Sequence, residues 1–458
     1  MAETQREMLG SRLGFLLVTA GCAIGLGNVW RFPFITGAYG GAWFLLIFIV
    51  CQVAVMPVMM LEFAMGRASR RNMGLAFGIL EPRGTTWHRA AWLPLVGSYT
   101  LLMFYTTIAG WMLVYFCRMG AGVFTGMDTA AVAASFGGMV SDTWLQVGCM
   151  SAVVLIATLV CSCGLQHGVE RVVKVLMAGL FLVLIVLVCN SLTLDGAAEG
   201  LRFYLMPDAE KLSRTGFLSV CSAALNQAFF TLSIGIGAMC IFGSYLDRQR
   251  TLGGEVILVT ALDFVIALMS GFIIFPACFT YGVEPTAGPG LIFVTLPNIF
   301  ANMPGGRFWG TLFFVFMSCA ALTTVIAVFE NMTSYCMDVF GWRRRTATIV
   351  NCVALWLTSL PCALSFGVLS FIQPFGEGSG ILDLEDFIVS NHMLPLGSLF
   401  IILFCTLRQG WGWDGMSAEA NMGTGPKVGK AMRFYLRWIL PPIILILFVM
   451  GYVDKFCH

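Results

Sequence analysis

Two short glycine-rich runs interrupt long apolar segments of this chain. Residues 21–28 read GCAIGLGN, and residues 231–237 read TLSIGIG. Each glycine costs about 1 kcal/mol in a helix relative to alanine, so both runs predict a break in a helix. An unwound turn exposes carbonyl groups that can bind a cation and amide groups that can bind an anion. For either run alone, the alternative is close helix packing, which small residues also permit.

Polar side chains in other apolar segments can complete an ion site. Thr323 and Thr324 are adjacent, and Asp263 stands alone among apolar residues. Sodium is a hard cation that prefers oxygen ligands, and acids inside a membrane segment are functional candidates by default. The alternatives are structural: the threonine hydroxyls can bond carbonyls of their own helix, and Asp263 can act as a brace by hydrogen-bonding Gln227 or another neighbour.

Two more acids, Glu62 and Glu330, also lie in apolar segments. We expect Glu62 to brace the unwound part of the first helix. The sequence assigns no role to Glu330.

The composition is that of an integral membrane protein. Of 458 residues, 58% are hydrophobic and 11% are charged, whereas a soluble domain has about 25% charged residues. The net charge of +2 gives no signal for nucleic-acid binding. The 16 cysteines form no CxxC pair and the four histidines form no HExxH motif. We therefore expect free cysteines that face the core or lipid, and no enzyme site.

Hydropathy predicts about eleven spans of about 20 apolar residues each, and hence an all-α membrane protein. The positive-inside rule makes the side with the basic loops cytoplasmic. These loops lie near residues 67–71, 171–174, 248–250, 343–345 and 427–433. The N-terminus is then cytoplasmic, and the C-terminus lies on the outer face of a bacterial inner membrane. The first apolar segment lacks a small-residue cleavage site, so we interpret it as a span and not as a signal peptide.

The two glycine-rich runs occupy corresponding places if each half of the chain holds five spans. Paired Gly-interrupted spans indicate inverted repeats with a binding site near the membrane midplane. We therefore predict one transporter domain over residues 1–458, with broken helices 1 and 6. Its repeats cover approximately residues 10–195 and 215–410, and an extra C-terminal helix covers approximately residues 433–454.

Four motifs carry a resemblance to a known family. They are GCAIGLGNVWRFP at residues 21–33, EFAMGR at 62–67, QAFFTLS at 227–233 and AALTT at 320–324. In this order and over nearly the whole chain, they resemble the neurotransmitter:sodium symporter family, whose bacterial leucine transporter is the structural model. The resemblance implies sodium-coupled import of an amino acid by alternating access. The chain departs from many relatives in having Ala178 where they have a proline ten residues after a glycine, here Gly168.

The resemblance implies two sodium sites. The residues matching the first are Ala23, Asn28, Thr231 and Asp263, together with the substrate carboxylate. The residues matching the second are Gly21, Ile24, Ala320, Thr323 and Thr324.

The resemblance also implies the substrate pocket. The matching residues are Cys22, Ala23, Leu26, Gly27, Leu101, Tyr105, Phe230, Thr231, Ser233, Ile236, Thr324 and Val328. The side-chain part of this set carries no charge, and a charged substrate side chain would be left unpaired in a dry site. A neutral, hydrophobic amino acid is therefore favoured.

Two gates follow from the same resemblance. Arg31 is expected to pair with Asp386 across the outer vestibule, with Phe230 as a lid below them. Arg6 is expected to pair with Asp338 on the cytoplasmic side. The alternative for each is an ordinary charge at the membrane boundary.

Chloride is not expected to be required. Chloride-dependent relatives hold the anion with a tyrosine and a hydroxyl residue, and the matching positions here are Ile47 and Ala267, which donate no hydrogen bond. The Asp263 carboxylate would supply the negative charge instead. It could also take up a proton after sodium leaves, which is the basis for the hypothesis of proton antiport.

Other classes of membrane protein remain as alternatives. A proton-coupled amino-acid transporter of the same fold commonly carries a positive charge near the site matched by Thr323 and Thr324, and none is evident here. An ion channel needs a continuous polar lining, which a pair of broken helices in one chain does not supply. The expected partners are an amino-acid substrate and the lipid bilayer, with no nucleic acid, and the chain is expected to be a monomer or a loose homodimer.

Overall fold

The computed structural model describes residues 7–208, 216–282 and 290–456. Within these ranges the chain folds into helices, and the one β-type pairing is an isolated bridge between Arg250 and Thr424. The prediction of an all-α protein is confirmed.

The helices before residue 208 include the first five predicted spans. They are α1 (Arg12–Ala23), α2 (Phe32–Ala38), α3 (Ala42–Ser69), α4 (Met73–Leu80), α5 (Leu93–Ala121), α6 (Thr129–Ser141), α7 (Thr143–Ser162), α8 (Arg171–Ser191) and α9 (Ala197–Leu205).

The helices after residue 216 include the remaining spans. They are α10 (Phe217–Thr231), α11 (Ala238–Ser244), α12 (Leu252–Thr280), α13 (Leu296–Asn302), α14 (Gly306–Phe340), α15 (Arg344–Leu364), α16 (Ile381–Ile388), α17 (Leu394–Thr406), α18 (Gly412–Ala420), α19 (Lys430–Phe434) and α20 (Leu440–Phe456). A π-helical turn, Val389–Met393, joins α16 to α17.

Nine helical segments of the described chain are long and apolar enough to cross a membrane, and the bent pair α1 and α2 raises the number to ten. The sixth predicted span corresponds to α10 and α11, which are too short to be counted singly. Because six residues separate these two helices, the total of eleven spans stays a prediction.

Both glycine-rich runs lie where helices end. Helix α1 ends at Ala23, the next residue is extended, and the direction changes by 53° before the chain continues into α2. Between α10 and α11, Ser233, Gly235 and Gly237 have φ angles of +50°, +97° and +74°. Glycine adopts such left-handed backbone angles without the steric cost that a side chain brings, which explains its use at this break.

Helix α14 forms the centre of the bundle. Buried residues make up 78% of its most apolar stretch, compared with 28% for the C-terminal segment Lys430–Val453. Side chains of α14 therefore face other helices on nearly all sides. This position places Thr323 and Thr324 in the interior, beside the break that follows α1.

Candidate functional site

The predicted first sodium site is a buried cluster around Asp263. The Asn28 amide donates to the Asp263 carboxylate over 2.8 Å, and the Thr231 hydroxyl donates to it over 3.0 Å. The Asn28 side-chain oxygen in turn accepts from the Gly25 amide over 3.2 Å. Asp263 from α12 thus joins the break after α1 to the end of α10.

Gln52 of α3 is a member of this cluster that the sequence analysis missed. Its side-chain nitrogen lies 2.5 Å from Asp263 Oδ2. Gln227, which was considered as the structural partner of Asp263, donates instead to the carbonyl of Gly27 over 2.8 Å. The described residues offer Asp263 neutral donors and no ion-pair partner. A bound cation would therefore meet an uncompensated negative charge.

The predicted second sodium site lies between α1 and α14. The Thr324 hydroxyl is 3.3 Å from the Gly21 carbonyl oxygen and 3.4 Å from that of Cys22. The Thr323 hydroxyl donates to the Ala320 carbonyl over 2.9 Å, which is the local bond considered as the structural alternative. Both threonines are buried. Several hydroxyl and carbonyl oxygens therefore converge here without a charged group.

The two breaks face each other across a small cavity. On one side, the amide of Leu26 donates to the Tyr105 hydroxyl over 2.8 Å. On the other, the Ser233 hydroxyl donates to the Cys22 carbonyl over 3.2 Å. Helix α5 supplies Tyr105, and its hydroxyl is buried at the centre of the bundle and not at the membrane boundary.

Most of the predicted substrate residues line this cavity, and the lining carries no charged side chain. The lining residues are Cys22, Ala23, Gly25, Gly27, Leu101, Tyr105, Phe230, Ser233, Thr324 and Leu394. Leu26 lines a second, outer cavity that shares Tyr105 and Phe230 with the first. These two rings therefore separate the inner cavity from the outer one.

Two predicted side-chain determinants, Ile236 and Val328, are buried but are not among the lining residues. Ile236 packs against Gly97 of α5, where an added methyl group would lie 2.8 Å from its Cγ2 atom. The part that Ile236 and Val328 play in substrate selection stays a prediction.

Leu394 lines the cavity from α17, a helix that the sequence analysis did not connect with the substrate. The backbone of α17 contacts the second break directly, because a side chain at Gly235 would collide with the carbonyl of Leu394 and one at Gly397 would collide with the carbonyl of Gly235. The two glycines that permit this close approach, Gly235 and Gly397, were the sequence signal for the contact. The residues around Gly397 form no recognisable motif, so this signal could not be read from the sequence.

Glu62 braces the second break and not the first, so the expectation for this residue was wrong. Its carboxylate accepts from the amides of Gly235, Met239 and Cys240 over 2.6, 3.1 and 3.3 Å. Two of these amides belong to the first turn of α11, where a carboxylate is favoured by the free N–H groups of a helix.

The Arg31–Asp386 pair lies above the outer cavity. Arg31 Nη1 is 3.8 Å from Asp386 Oδ1 and donates to the Ser390 hydroxyl over 2.9 Å. The guanidinium carbon is 4.4 Å from the centre of the Phe230 ring. The pair and the lid of the predicted outer gate thus lie together, and we call this end of the bundle the vestibule end.

The opposite end carries Arg67, Arg71 and Arg344, and we call it the basic end. Asp338 accepts there from the Asn72 amide over 2.8 Å and lies 3.3 Å from Arg71 Nη1. Arg6, its predicted gate partner, lies outside the described residues, so the Arg6–Asp338 pair stays a prediction.

Glu330, to which the sequence assigned no role, forms an ion pair at the basic end. Arg344 donates to its two carboxylate oxygens over 2.8 and 2.9 Å, and the Tyr245 hydroxyl donates over 3.1 Å. Arg344 also lies 3.6 Å from Glu7 near the N-terminus. This pair connects α14, the start of α15 and the residues before α1.

Comparison with known proteins gives consistent matches over nearly the whole chain. A sequence model of the Sodium:neurotransmitter symporter family matches residues 6–123 and 138–455. An uncharacterized sodium-dependent transporter of Bacillus subtilis is 34% identical, with 98% of each chain covered. The sodium-dependent serotonin transporter of Drosophila melanogaster is 26% identical over 99% of this chain and 78% of its own length.

A solved structure also matches the fold over nearly the whole chain. The crystal structure of MhsT in complex with L-phenylalanine superposes with a TM-score of 0.88 at 37% sequence identity. The match covers 98% of this chain and 100% of that one. The helix arrangement described above is therefore one that a phenylalanine-binding protein shares.

Proposed function

We propose that this chain, which belongs to the sodium:neurotransmitter symporter family, imports a neutral, hydrophobic amino acid together with sodium. Membership makes it a membrane-embedded, sodium-coupled symporter of a small molecule and not an enzyme. The proposal adds the class of substrate, the number of ions, the absence of a chloride requirement and the direction of transport.

The observation that carries the proposal is the uncharged cavity between the two breaks. The carboxylate of an amino acid can accept hydrogen bonds from the Tyr105 hydroxyl and from amides near Leu26, and its amino group can donate to carbonyls such as that of Cys22. Leu101 and Leu394 then surround the substrate side chain. A charged side chain would lose its hydration there without gaining a partner, and this cost favours a neutral, hydrophobic substrate.

Two sodium ions are proposed to accompany the substrate. One is held by Asn28, Thr231, Asp263 and the carbonyl of Ala23, and the substrate carboxylate completes its shell. The other is held by the hydroxyls of Thr323 and Thr324 with the carbonyl oxygens of Gly21, Ile24 and Ala320. Only oxygen atoms are offered at either place, as a hard cation requires.

Asp263 is proposed to make chloride unnecessary. Its carboxylate has neutral hydrogen-bond donors and no ion-pair partner among the described residues, so it can balance the charge of a sodium ion directly. After sodium leaves, a proton can take the same place on the carboxylate, and this exchange would give proton antiport on the return step.

Transport is proposed to proceed by alternating access in a bacterial inner membrane. The vestibule end faces outward, the basic end faces the cytoplasm, and the N-terminus is cytoplasmic. The repeats at approximately residues 10–195 and 215–410 would move relative to each other around the cavity.

The test is competition of the twenty amino acids for sodium-dependent uptake into proteoliposomes. We expect leucine, phenylalanine and similar neutral residues to compete, and lysine and glutamate to fail. A set of liposomes with a proton gradient and choline in place of sodium is the control. Uptake that follows the proton gradient without sodium would contradict the proposal and favour a proton-coupled transporter.

A further inference from the structure

Helix α16 carries three acids at the vestibule end, and each has different surroundings. Asp383 accepts from the Gly380 amide over 2.7 Å and so closes the start of the helix. Asp386 faces Arg31 and accepts from the Ser390 hydroxyl over 3.0 Å. Glu385 is only 4% exposed.

The Glu385 carboxyl faces polar but uncharged groups of α5 and α15. The Cys362 thiol of α15 lies against this carboxyl and against the Thr107 hydroxyl of α5. Glu385 Oε2, Thr107 Oγ1 and Ser365 Oγ are all buried and have no hydrogen-bond partner among the described residues. The carboxyl therefore has no cation beside it and no complete set of hydrogen bonds.

An ionised carboxylate is strongly disfavoured in these surroundings. Burial without a partner costs several kcal/mol, and the charged groups nearest along α16, Asp383 and Asp386, are of the same sign. Two cations line the cavity beside Asp383 and Asp386, and both have other partners. Arg31 is engaged by Asp386, Ser390 and Phe230, and Lys455 lies 4.0 Å from the centre of the Phe375 ring.

A metal ion does not fit the site, but a proton does. Within the described ranges, no three His, Cys, Asp or Glu side chains are grouped so as to hold a metal. A neutral glutamic acid, in contrast, has one O–H donor and can still accept hydrogen bonds. It can bond the Cys362 thiol beside it without any change in the packing of the helices.

We propose that Glu385 is a proton-binding site, and that its proton favours the position of α16 packed against α5 and α15. In this position Asp386 lies beside Arg31. Loss of the proton leaves a charge that is stable only in contact with water, so it favours movement of α16 away from α15. Because a ligand shifts an equilibrium toward the state that binds it better, protons oppose opening at the vestibule end.

The proposal is tested by hydrogen–deuterium exchange of the full chain in lipid nanodiscs, without substrate. The wild type is compared with Glu385→Gln, which cannot ionise, at about pH 6 and about pH 8.5. Because the wild type and the variant are compared with each other at the same pH, the intrinsic pH dependence of amide exchange cancels. We expect backbone amides of residues 381–388 to exchange about threefold faster in the wild type at the alkaline pH, and equally at the acidic pH.

Four controls make the outcome decisive. Glu385→Met, neutral and of similar length, should behave as Glu385→Gln does, and Glu385→Asp should keep the alkaline acceleration. Residues 344–355, at the far end of α15, should show no difference between variants. The difference should persist when Asp263→Asn is added, because the sodium-site carboxylate is then absent.

Two results would overturn the proposal. One is equal exchange of residues 381–388 in the wild type and both neutral variants at alkaline pH. The other is loss of the difference in the Asp263→Asn background, which would place the titrating group at the sodium site. Neither result depends on which substrate is carried, so the proposed function is tested separately.

Discussion

The two ends of the helix bundle are closed by different kinds of contact. At the vestibule end, Arg31 and Asp386 are partly exposed and 3.8 Å apart. At the basic end, Arg67 pairs with Glu419 and Arg344 with Glu330 over 2.8 Å, and both glutamates are buried. Breaking a buried pair costs about 3 to 5 kcal/mol, whereas an exposed pair contributes about 0 to 1 kcal/mol. The contacts of this structure therefore resist opening at the basic end more than at the vestibule end.

Arg67 illustrates how extensively the basic end is joined. Its guanidinium is fully buried, bonds the Glu419 carboxylate and backbone, and donates to the carbonyl of Arg250 over 2.8 Å. Arg248 lies 3.1 Å from the same carboxylate. One arginine thus links α3, the loop before α12 and helix α18, and all of these must separate or move together when the basic end opens.

The largest expected effect comes from removing Arg344. The Arg344→Ala change leaves the Glu330 carboxylate buried without its cation, which is expected to cost about 3 to 5 kcal/mol. The unfolding temperature of the purified protein should fall by several degrees, and uptake should decrease more than about tenfold. Arg345→Ala removes the exposed neighbouring charge and is the matched control. Equal stability of the two variants would mean that the buried pair does not close the basic end.

The second-largest effect is expected at the second proposed sodium site, between α1 and α14. Thr323→Ala combined with Thr324→Ala removes two oxygen ligands, so the affinity for sodium should fall at least about tenfold, or about 1.4 kcal/mol. Sodium titration of substrate binding measures this change. Thr333→Ala, another buried threonine of α14, serves as the control. If sodium affinity is unchanged in the double variant, the second sodium site lies elsewhere.

The contacts at the vestibule end should contribute less to stability than those at the basic end, and this end should open more readily. Asp386→Asn removes an ion pair that contributes at most about 1 kcal/mol, so the unfolding temperature should change little. Uptake should nevertheless fall about fivefold, because the gate over Phe230 closes less completely, while equilibrium binding of substrate from outside is retained. Normal uptake in this variant would show that the pair is only a boundary charge.

The smallest effect is expected on substrate selection. Leu394→Ala widens the cavity beside the second break, so the affinity for tryptophan relative to alanine should rise severalfold, or by about 1 kcal/mol. Competition for binding measures the ratio, with Leu399→Ala on the same helix as the control.

Ile236→Phe, from the predicted pocket, should instead reduce tryptophan binding more than alanine binding. A ratio unchanged by both variants would place the side-chain pocket elsewhere.

The sequence predicts features that rest on a local pattern. Glycine runs indicate where helices end, and oxygen-bearing residues in apolar segments indicate where an ion can bind. For this reason Asn28, Thr231 and Asp263 could be grouped before their distances were known. The structure brings them within hydrogen-bonding distance.

The contacts that could not be predicted from the sequence join segments that are far apart in the chain. They depend on how each helix is rotated about its axis and shifted along it relative to its neighbours. Gln52 reaches Asp263, and Glu62 reaches Gly235, because α3 packs beside both α12 and the second break. No periodicity within α3 shows which neighbouring helix a given side chain faces. The ion pair of Glu330 with Arg344 could not be predicted either. An arginine at the start of a span is usually an ordinary boundary charge, so nothing in the sequence marks Arg344 as the partner of a buried acid.

If Asp263 couples sodium to an amino acid without chloride, sodium-driven uptake should need the Asp263 carboxylate and not the anion. Sodium-driven uptake by the wild type and by Asp263→Asn is compared in chloride and in gluconate. Asparagine keeps the size and an oxygen ligand but removes the charge. We predict full wild-type uptake in gluconate and a severe loss in Asp263→Asn with either anion, because Ile47 and Ala267 offer chloride no hydrogen bond. Strong dependence of the wild type on chloride, or normal uptake by Asp263→Asn in gluconate, would show that Asp263 does not replace chloride.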